Sequence, residues 1–399
     1  MNLTYKHTVY ACFIGYIVQA IVNNFAPLLF LTFQHTYGIP LSQITMLVTI
    51  NFSVQLLVDL LAVGFVDKVG YRASMLAAHI FAVLGFLGLV TLPELLPSAF
   101  AGLVISVTIY AIGGGLLEVL VSPVMEACPT DNKEKAMSLL HSFYCWGHVG
   151  VVLISTLCFQ IFGIRYWKAV ALLWTVVPLA NLLLFTKVPL APLVAEGEKT
   201  MSLKELFRNQ VFWILLVMMV CSGASEQAVS QWASTLAEKG LGISKTMGDL
   251  MGPMMFAILM GLSRVFYGKF GERIELDKFM LASSGLCILA LLLIAFVPNP
   301  VVNLIGCALC GLSVGILWPG SFSKAASAMP LGGTAMFAML ALGGDLGCSG
   351  GPTLAGLMAS FFGDDLQKGI ACAVVFPVAL IVMIRLLNRK GEVYEMGEN

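Results

Sequence analysis

The segment AIGGGLLEVLVSP, residues 111–123, carries one carboxylate, Glu118, in a run with no other charge between Phe100 and Val124. Its central GLLE, residues 115–118, is matched 200 positions later by GILW, residues 315–318. Two further pairs keep nearly the same spacing. Ala136-Met137 aligns with Ala335-Met336 at an offset of 199, and the charged DKVGYR of 67–72 corresponds to ERIELDK of 272–278. Three short matches in one order imply a duplicated chain.

What surrounds the acid follows from composition. Hydrophobic residues make up 59% of the 399 positions and charged residues 11%, with a mean hydropathy of +0.91. Soluble domains carry about a quarter charged residues, so this chain is built for lipid. Its zero net charge and lack of basic-aromatic patches exclude nucleic acid as a partner. Apolar runs long enough to cross a bilayer, roughly 20 residues each, number twelve: 7–33, 43–66, 73–92, 98–126, 136–162, 169–187, 209–237, 247–270, 278–297, 301–328, 334–362 and 368–387. No small-residue cleavage site follows the first, which reads as a retained helix. GLLE and GILW then fall in the fourth span of each half. The expected fold is an all-α membrane protein of twelve transmembrane helices in two pseudo-symmetric six-helix bundles. Such duplication is the architecture of many secondary transporters, with the site near the midplane between halves.

A cytosolic N-terminus places sixteen of the twenty-two lysines and arginines inside, and this bias sets topology. Both termini are therefore expected in the cytosol, with the protein in the plasma or cytoplasmic membrane. The polar VPLAPLVAEGEKTMSLKELFRN, 188–209, divides the chain and offers a short interfacial helix over 202–208. The expected domains are a bundle over 1–187, a cytosolic linker over 188–208, a bundle over 209–390 and a tail over 391–399.

The hairpin GFVDKVGYRASM, 64–75, resembles the loop between the second and third helices of the major facilitator superfamily at Asp67, Lys68, Gly70 and Arg72. Val63 and Tyr71 depart from that pattern. Bottom-up, Asp67 can cap the following helix or attract a cation, and Gly70 permits a tight turn. A narrower likeness joins GLLEVLVSP and HSFYCWG to the fucose permease and glucose/galactose porter group. Glu118, Pro123, Ser142, Phe143 and Gly147 match, whereas Ser122, His141 and Tyr144 replace amides. That resemblance implies proton-coupled sugar transport, with the acid in coupling and its neighbours on the sugar. An acid in the group's first helix is replaced here by Asn23 and Asn24.

Rise per residue places Glu118 and His141 roughly 17 Å from the turn near Pro129, close to the middle of a 30 Å core. Trp318 and Asp345 reach a similar level in the second half, as does Glu226, followed by Gln227, Gln231 and Trp232. Charge at that depth costs at least ~2.5 kcal/mol, which marks these groups as functional candidates or as glue between helices. Expected roles are proton coupling for Glu118, His141 and Asp345. Solute contact is expected of Asn23, Asn24, His141, Tyr144, Glu226, Gln227, Gln231, Trp232 and Trp318, since amides with rings suit a polar cyclic solute. Gating is expected of Asp59, Asp67, Arg72 and Arg264, with Asp345 and Arg264 able to pair.

Other signals read as packing. The Gly343, Gly347 and Gly351 series favours close helix contacts, and Cys307-x-x-Cys310 lies inside an apolar helix. No phosphate loop, cofactor motif or metal-ligand spacing is found. The expected function is secondary transport of a small polar solute, sugar-like, with proton symport. Partners are the solute, protons and the bilayer, in a monomer. Efflux of amphipathic compounds is the rival within that class; an intramembrane enzyme or receptor is the alternative outside it.

Overall fold

The computed structural model describes residues 3–129, 133–191 and 201–397, and among them every regular element is helical. Twelve membrane-length helices follow one another: α1 Tyr5–Tyr37, α2 Leu41–Val69, α3 Tyr71–Leu95, α4 Ala99–Ala127, α5 Lys133–Phe162 and α6 Ile164–Phe185, then α7 Gln210–Gly240, α8 Lys245–Tyr267, α9 Leu276–Phe296, α10 Pro300–Ala328, α11 Gly333–Phe361 and α12 Leu366–Arg389. Eleven are apolar enough as well as long enough to cross a bilayer. α11 is 29 residues long, and its glycines, serines and Asp345 hold its hydropathy below the others.

Local chemistry fixes the ends. Ser98, Asn209 and Asn299 accept from the backbone N–H of Ala101, Val211 and Val301 and so start α4, α7 and α10. Gly70, at φ +90°, makes the turn into α3 and occupies its N-cap. Asp67 therefore lies in the last turn of α2, and its side chain is outside the described residues. Ahead of α7, a short helix Leu203–Arg208 is closed by the reciprocal pair Ser202 and Glu205. Among the described residues regular helix is interrupted in α1 at Phe25–Leu29, around Pro27, in α6 at Thr175, in α7 at Gln231–Trp232, in α10 at Gly315–Ile316 and in α12 at Ala373–Val374.

Small residues set the spacing within each bundle. A Cβ on Gly85 of α3 would fall 2.4 Å from the Tyr110 backbone of α4. The repeat is visible in the packing: Gly115 of α4 meets Gln55 of α2, and Gly315 of α10 meets Met260 and Ser263 of α8. Gly347 and Gly351 of α11 bring its backbone against Val220 and Ala224 of α7, which is the packing role their spacing implied.

Between the bundles, α2 runs antiparallel to α11 and α5 to α8. Hydrogen bonds join them from the face opposite the termini down to mid-level. Near that far face Thr246 donates to Gln160 at 2.5 Å and Lys245 Nζ to the Leu28 carbonyl at 2.5 Å. Asp249, fully buried, accepts from Thr156 across the interface at 3.2 Å and from Ser234 at 2.5 Å, and pairs with Lys245. Further in, Thr49 meets Thr353 at 2.6 Å and Ser53 meets Ser349 at 3.1 Å. The far side of the interface is thus sealed.

Gly85→Val is expected to destabilise the protein by about 1–3 kcal/mol, because the added bulk meets backbone that cannot retreat. Gly285 of α9 has nothing within 4 Å of its would-be Cβ, so Gly285→Ala should be neutral or stabilising by roughly 0.5–1 kcal/mol. Melting temperatures of the purified variants in detergent check both.

Candidate functional site

The site is a polar layer at mid-height, in an otherwise apolar bundle. On α1, residues 16, 19 and 23 lie three and four apart and so share a face. Tyr16 bonds Ser122 Oγ of α4 at 2.9 Å, Gln19 Nε2 donates to Glu118 Oε2 at 2.8 Å, and Asn23 Oδ1 accepts from Gln55 at 2.8 Å and Asn51 at 3.2 Å. Asn24 donates to Tyr144 Oη of α5 at 3.3 Å. Glu118 is held by Gln19 and not, among the described residues, by His141, whose ring lies edge-on to Tyr16 at 5.3 Å.

His141 itself is exposed, while Glu118, Tyr144, Arg264 and Trp318 are half-buried. Four residues along α5 from His141, on the same face, Cys145 accepts from Arg264 of the other bundle at 3.3 Å. The exposure of His141 is therefore to a crevice between the bundles rather than to lipid. With the far side sealed, that crevice opens toward the face carrying the termini.

In the second bundle the pairing differs from the expected one. Arg264 does not reach Asp345; it binds Glu226 at 3.1 Å and also donates to the Gly315 carbonyl at 3.3 Å. Glu226 is the nearer acid because α7 and α8 present these side chains toward each other, whereas Asp345 on α11 faces the first bundle. From Glu226 a chain of amides runs toward the far face: Gln227 donates to Glu226 at 3.3 Å, Gln231 to Gln227 at 3.0 Å, and Gln231 to the Asn23 carbonyl of the first bundle at 3.3 Å. Asp59, Glu118 and Asp345 meet, with one carboxylate oxygen of each within 4.8 Å of the others.

A family model described as Major Facilitator Superfamily matches residues 11–352. The chain belongs to that superfamily. The membrane protein MosC of Rhizobium meliloti is 23% identical over 281 residues, 70% of this chain; the match spans 65% of that relative's length. Among solved structures, a bacterial homologue of the human lysosomal transporter Spinster, inward-facing and unoccupied, superposes with a TM-score of 0.75 at 14% identity, covering 96% of this chain and 97% of its own. A variant of the E. coli fucose:proton symporter gives 0.66 at 15% identity, over 96% and 99%. These likenesses carry the fold, and the superfamily is one of transporters rather than enzymes.

Within this superfamily member, two expected site residues sit elsewhere. Trp232 is fully buried, donates to the Pro352 carbonyl at 2.9 Å and packs on Phe30; it is part of the far-side seal, placed there by the break in α7. Arg72 donates to the carbonyls of Phe185 and Val188 at 2.6 and 2.7 Å, so it braces α3 against the end of α6 instead of gating between bundles. Asp59, expected to gate, is buried beside Glu118 and Asp345. Trp318 lies over Gly344, one residue from Asp345. Sequence reasoning passed over Gln19, Asn51, Gln55 and the Lys245–Asp249 cluster. A signal was available for two of them: Asn51, Gln55 and Asp59 recur every four residues on one face of α2.

Breaking a buried pair strands a charge and costs more than removing both partners. Arg264→Met should lower the melting temperature further than Arg264→Met combined with Glu226→Gln, in a direct comparison of the purified proteins.

Proposed function

We propose that this superfamily member is a secondary transporter that moves a small polar solute, sugar-like in its density of hydroxyls, by alternating access with proton symport. The moving bodies are bundles over 1–187 and 209–390, joined by the 188–208 linker. By the lysine and arginine bias, the terminal face is cytosolic, which makes the crevice a cytosol-open chamber beneath an outer seal.

One observation carries the reading: acids, amides and rings from both bundles gather in one polar layer, with Gln19 on Glu118, Asn24 on Tyr144, Arg264 on Glu226 and His141 against Tyr16. Amides can donate and accept toward hydroxyls from either direction. In this reading Asn23, Asn24, Gln227 and Gln231 form the inner side of the outer seal and solute reaches them as it closes. Tyr144, His141 and Trp318 line the open part of the chamber and receive it first. Glu226 is held by Arg264 and so serves as a fixed acceptor rather than a mobile proton carrier. Glu118 is not in an ion pair among the described residues, which leaves it able to exchange a proton with chamber water.

Coupling then follows from what the seal requires. A charged acid is tolerated while water fills the chamber and costs free energy once the bundles close over it. Proton binding to Glu118 lowers that cost, so the loaded carrier crosses and the empty, charged one does not. Glu118→Gln is expected to abolish accumulation driven by a pH gradient, by at least roughly tenfold on the scale of removing a coupled charge, while preserving solute exchange in preloaded vesicles. Unchanged gradient-driven uptake by a correctly inserted variant would refute the assignment. A thermal-shift screen against sugars and polyols names the solute class, since a ligand that binds the folded state raises its stability.

A further inference from the structure

The linker ends in the short helix Leu203–Arg208, which stands immediately before α7 and takes no part in the central layer. Its six residues, LKELFR, sort by side. Leu203, Leu206 and Phe207 lie three and four apart and make one apolar stripe, and Lys204 and Arg208, again four apart, make a basic row beside it. Glu205, the one acid, is turned into the cap: its Oε2 accepts from the N–H and the hydroxyl of Ser202, each at 2.7 Å. The basic row is left without an opposing charge on its own helix.

Several contacts fix this helix against the second bundle. Leu206 is fully buried, and the Met201 N–H donates to the Leu331 carbonyl, between α10 and α11, at 2.9 Å. Asn209, extended at φ −86° and ψ 121°, turns the chain into α7. Trp213, one turn into α7, reaches back and donates to the Phe207 carbonyl at 2.9 Å. The buried ring of Phe212 meets those of Phe207 and Trp213 at 5.6 and 5.9 Å. Outside that corner stand Leu203, Phe207 and Trp213, 50%, 41% and 47% exposed, with the exposed Lys204 and Arg208 alongside. Beside it, α12 packs on α7 and finishes at the same face with Arg385 and Arg389, both exposed and four residues apart. None of these four cations is in an ion pair among the described residues.

We propose that this corner, with Lys204 and Arg208 of the linker helix and Arg385 and Arg389 of α12, binds the phosphate groups of anionic phospholipids in the leaflet on the terminal face. Charge complementarity selects the occupant: four unpaired cations attract phosphate, and the apolar stripe beside them receives the acyl chains to which that phosphate is joined. A free phosphate ion would satisfy only the first of these. Aromatic rings with basic neighbours at the start of a span are the chemistry of the membrane–water boundary, and each lysine or arginine held near an anionic surface strengthens attachment roughly fivefold. The inference is independent of the solute and of proton coupling, since it needs only that α7 and α12 cross the bilayer.

The test uses the full-length protein in phosphatidylcholine vesicles containing a minor fraction of phosphatidylglycerol, with brominated acyl chains on one lipid or the other at equal mole fraction. Quenching of Trp213 is read as the difference between wild type and Trp213→Phe. Brominated phosphatidylglycerol is expected to quench Trp213 at least about twofold more than brominated phosphatidylcholine, with the difference shrinking as salt screens the charges. Changing Lys204, Arg208, Arg385 and Arg389 together to Gln should abolish the preference and leave quenching by phosphatidylcholine unchanged, whereas Lys204→Arg with Arg208→Lys should retain it. Should the fourfold variant fail to insert, the salt series on wild type and the charge-retaining pair decide. Equal quenching by the two lipids, no quenching by either, or a preference that survives in the fourfold variant or at high salt would overturn the site. Loss of the preference on adding inorganic phosphate at constant ionic strength would do so too, by assigning the cations to a free anion.

Discussion

Like charges cannot be shut into a dry interface. At 4.8 Å and an effective dielectric of 20, two carboxylates repel by on the order of 3 kcal/mol, and three such pairs converge where α2, α4 and α11 meet. Closure of the bundles over Asp59, Glu118 and Asp345 therefore depends on neutralising positive charge. On the far side the interface is sealed by Asp249, Lys245 and the Thr49–Thr353 and Ser53–Ser349 pairs. Every coupling argument for this molecule begins from that constraint.

The seal and the charge cluster are made by the same packing. Small residues on α4 and α11 remove the side chains that would otherwise keep helices apart, and the short hydroxyls of α2 and α11 bond across the resulting contact. A lipid-embedded interface gains little from apolar burial, because lipid tails are as apolar as leucine; close contact and hydrogen bonds hold it instead. Such contacts are individually weak and numerous, which suits an interface that must come apart and re-form. The one ion pair at this level among the described residues, Arg264 with Glu226, lies within a single bundle.

The twelve spans and the halves were legible in the sequence because each is a one-dimensional property: run length and offset. GLLE and GILW do stand at matching depths, and Gly115 and Gly315 do pack on the second helix of their bundles. Partner choice was not legible. Whether Arg264 takes Glu226 or Asp345 depends on the rotation of α7, α8 and α11 about their axes, which residue counting does not supply. Trp232 was misread for a related reason: the break after Ser230 turns the indole into the seal. The Asp59–Glu118–Asp345 cluster escaped any search for ligand spacing because its members sit on three helices of two bundles. The four-residue rhythm of Asn51, Gln55 and Asp59 was the one local clue.

Duplication gave two similar bundles, yet the central chemistry is unequal. Where the first bundle has Glu118, the second has Trp318, whose ring lies over Gly344 beside Asp345. A symmetric pair of acids at these positions would have put one carboxylate on the fourth helix of each bundle. With Glu118 and Asp59 on one side and Asp345 on the other, the acid cluster exists only while the bundles touch at this level. Binding free energy is then available to closure itself, since a ligand shifts an equilibrium by its difference in affinity between the two states. The indole that stands where the first bundle has Glu118 adds no charge to the layer. The divergence of GLLE from GILW thus turns a repeated scaffold into one in which the first bundle brings two acids of the central cluster and the second bundle brings the third.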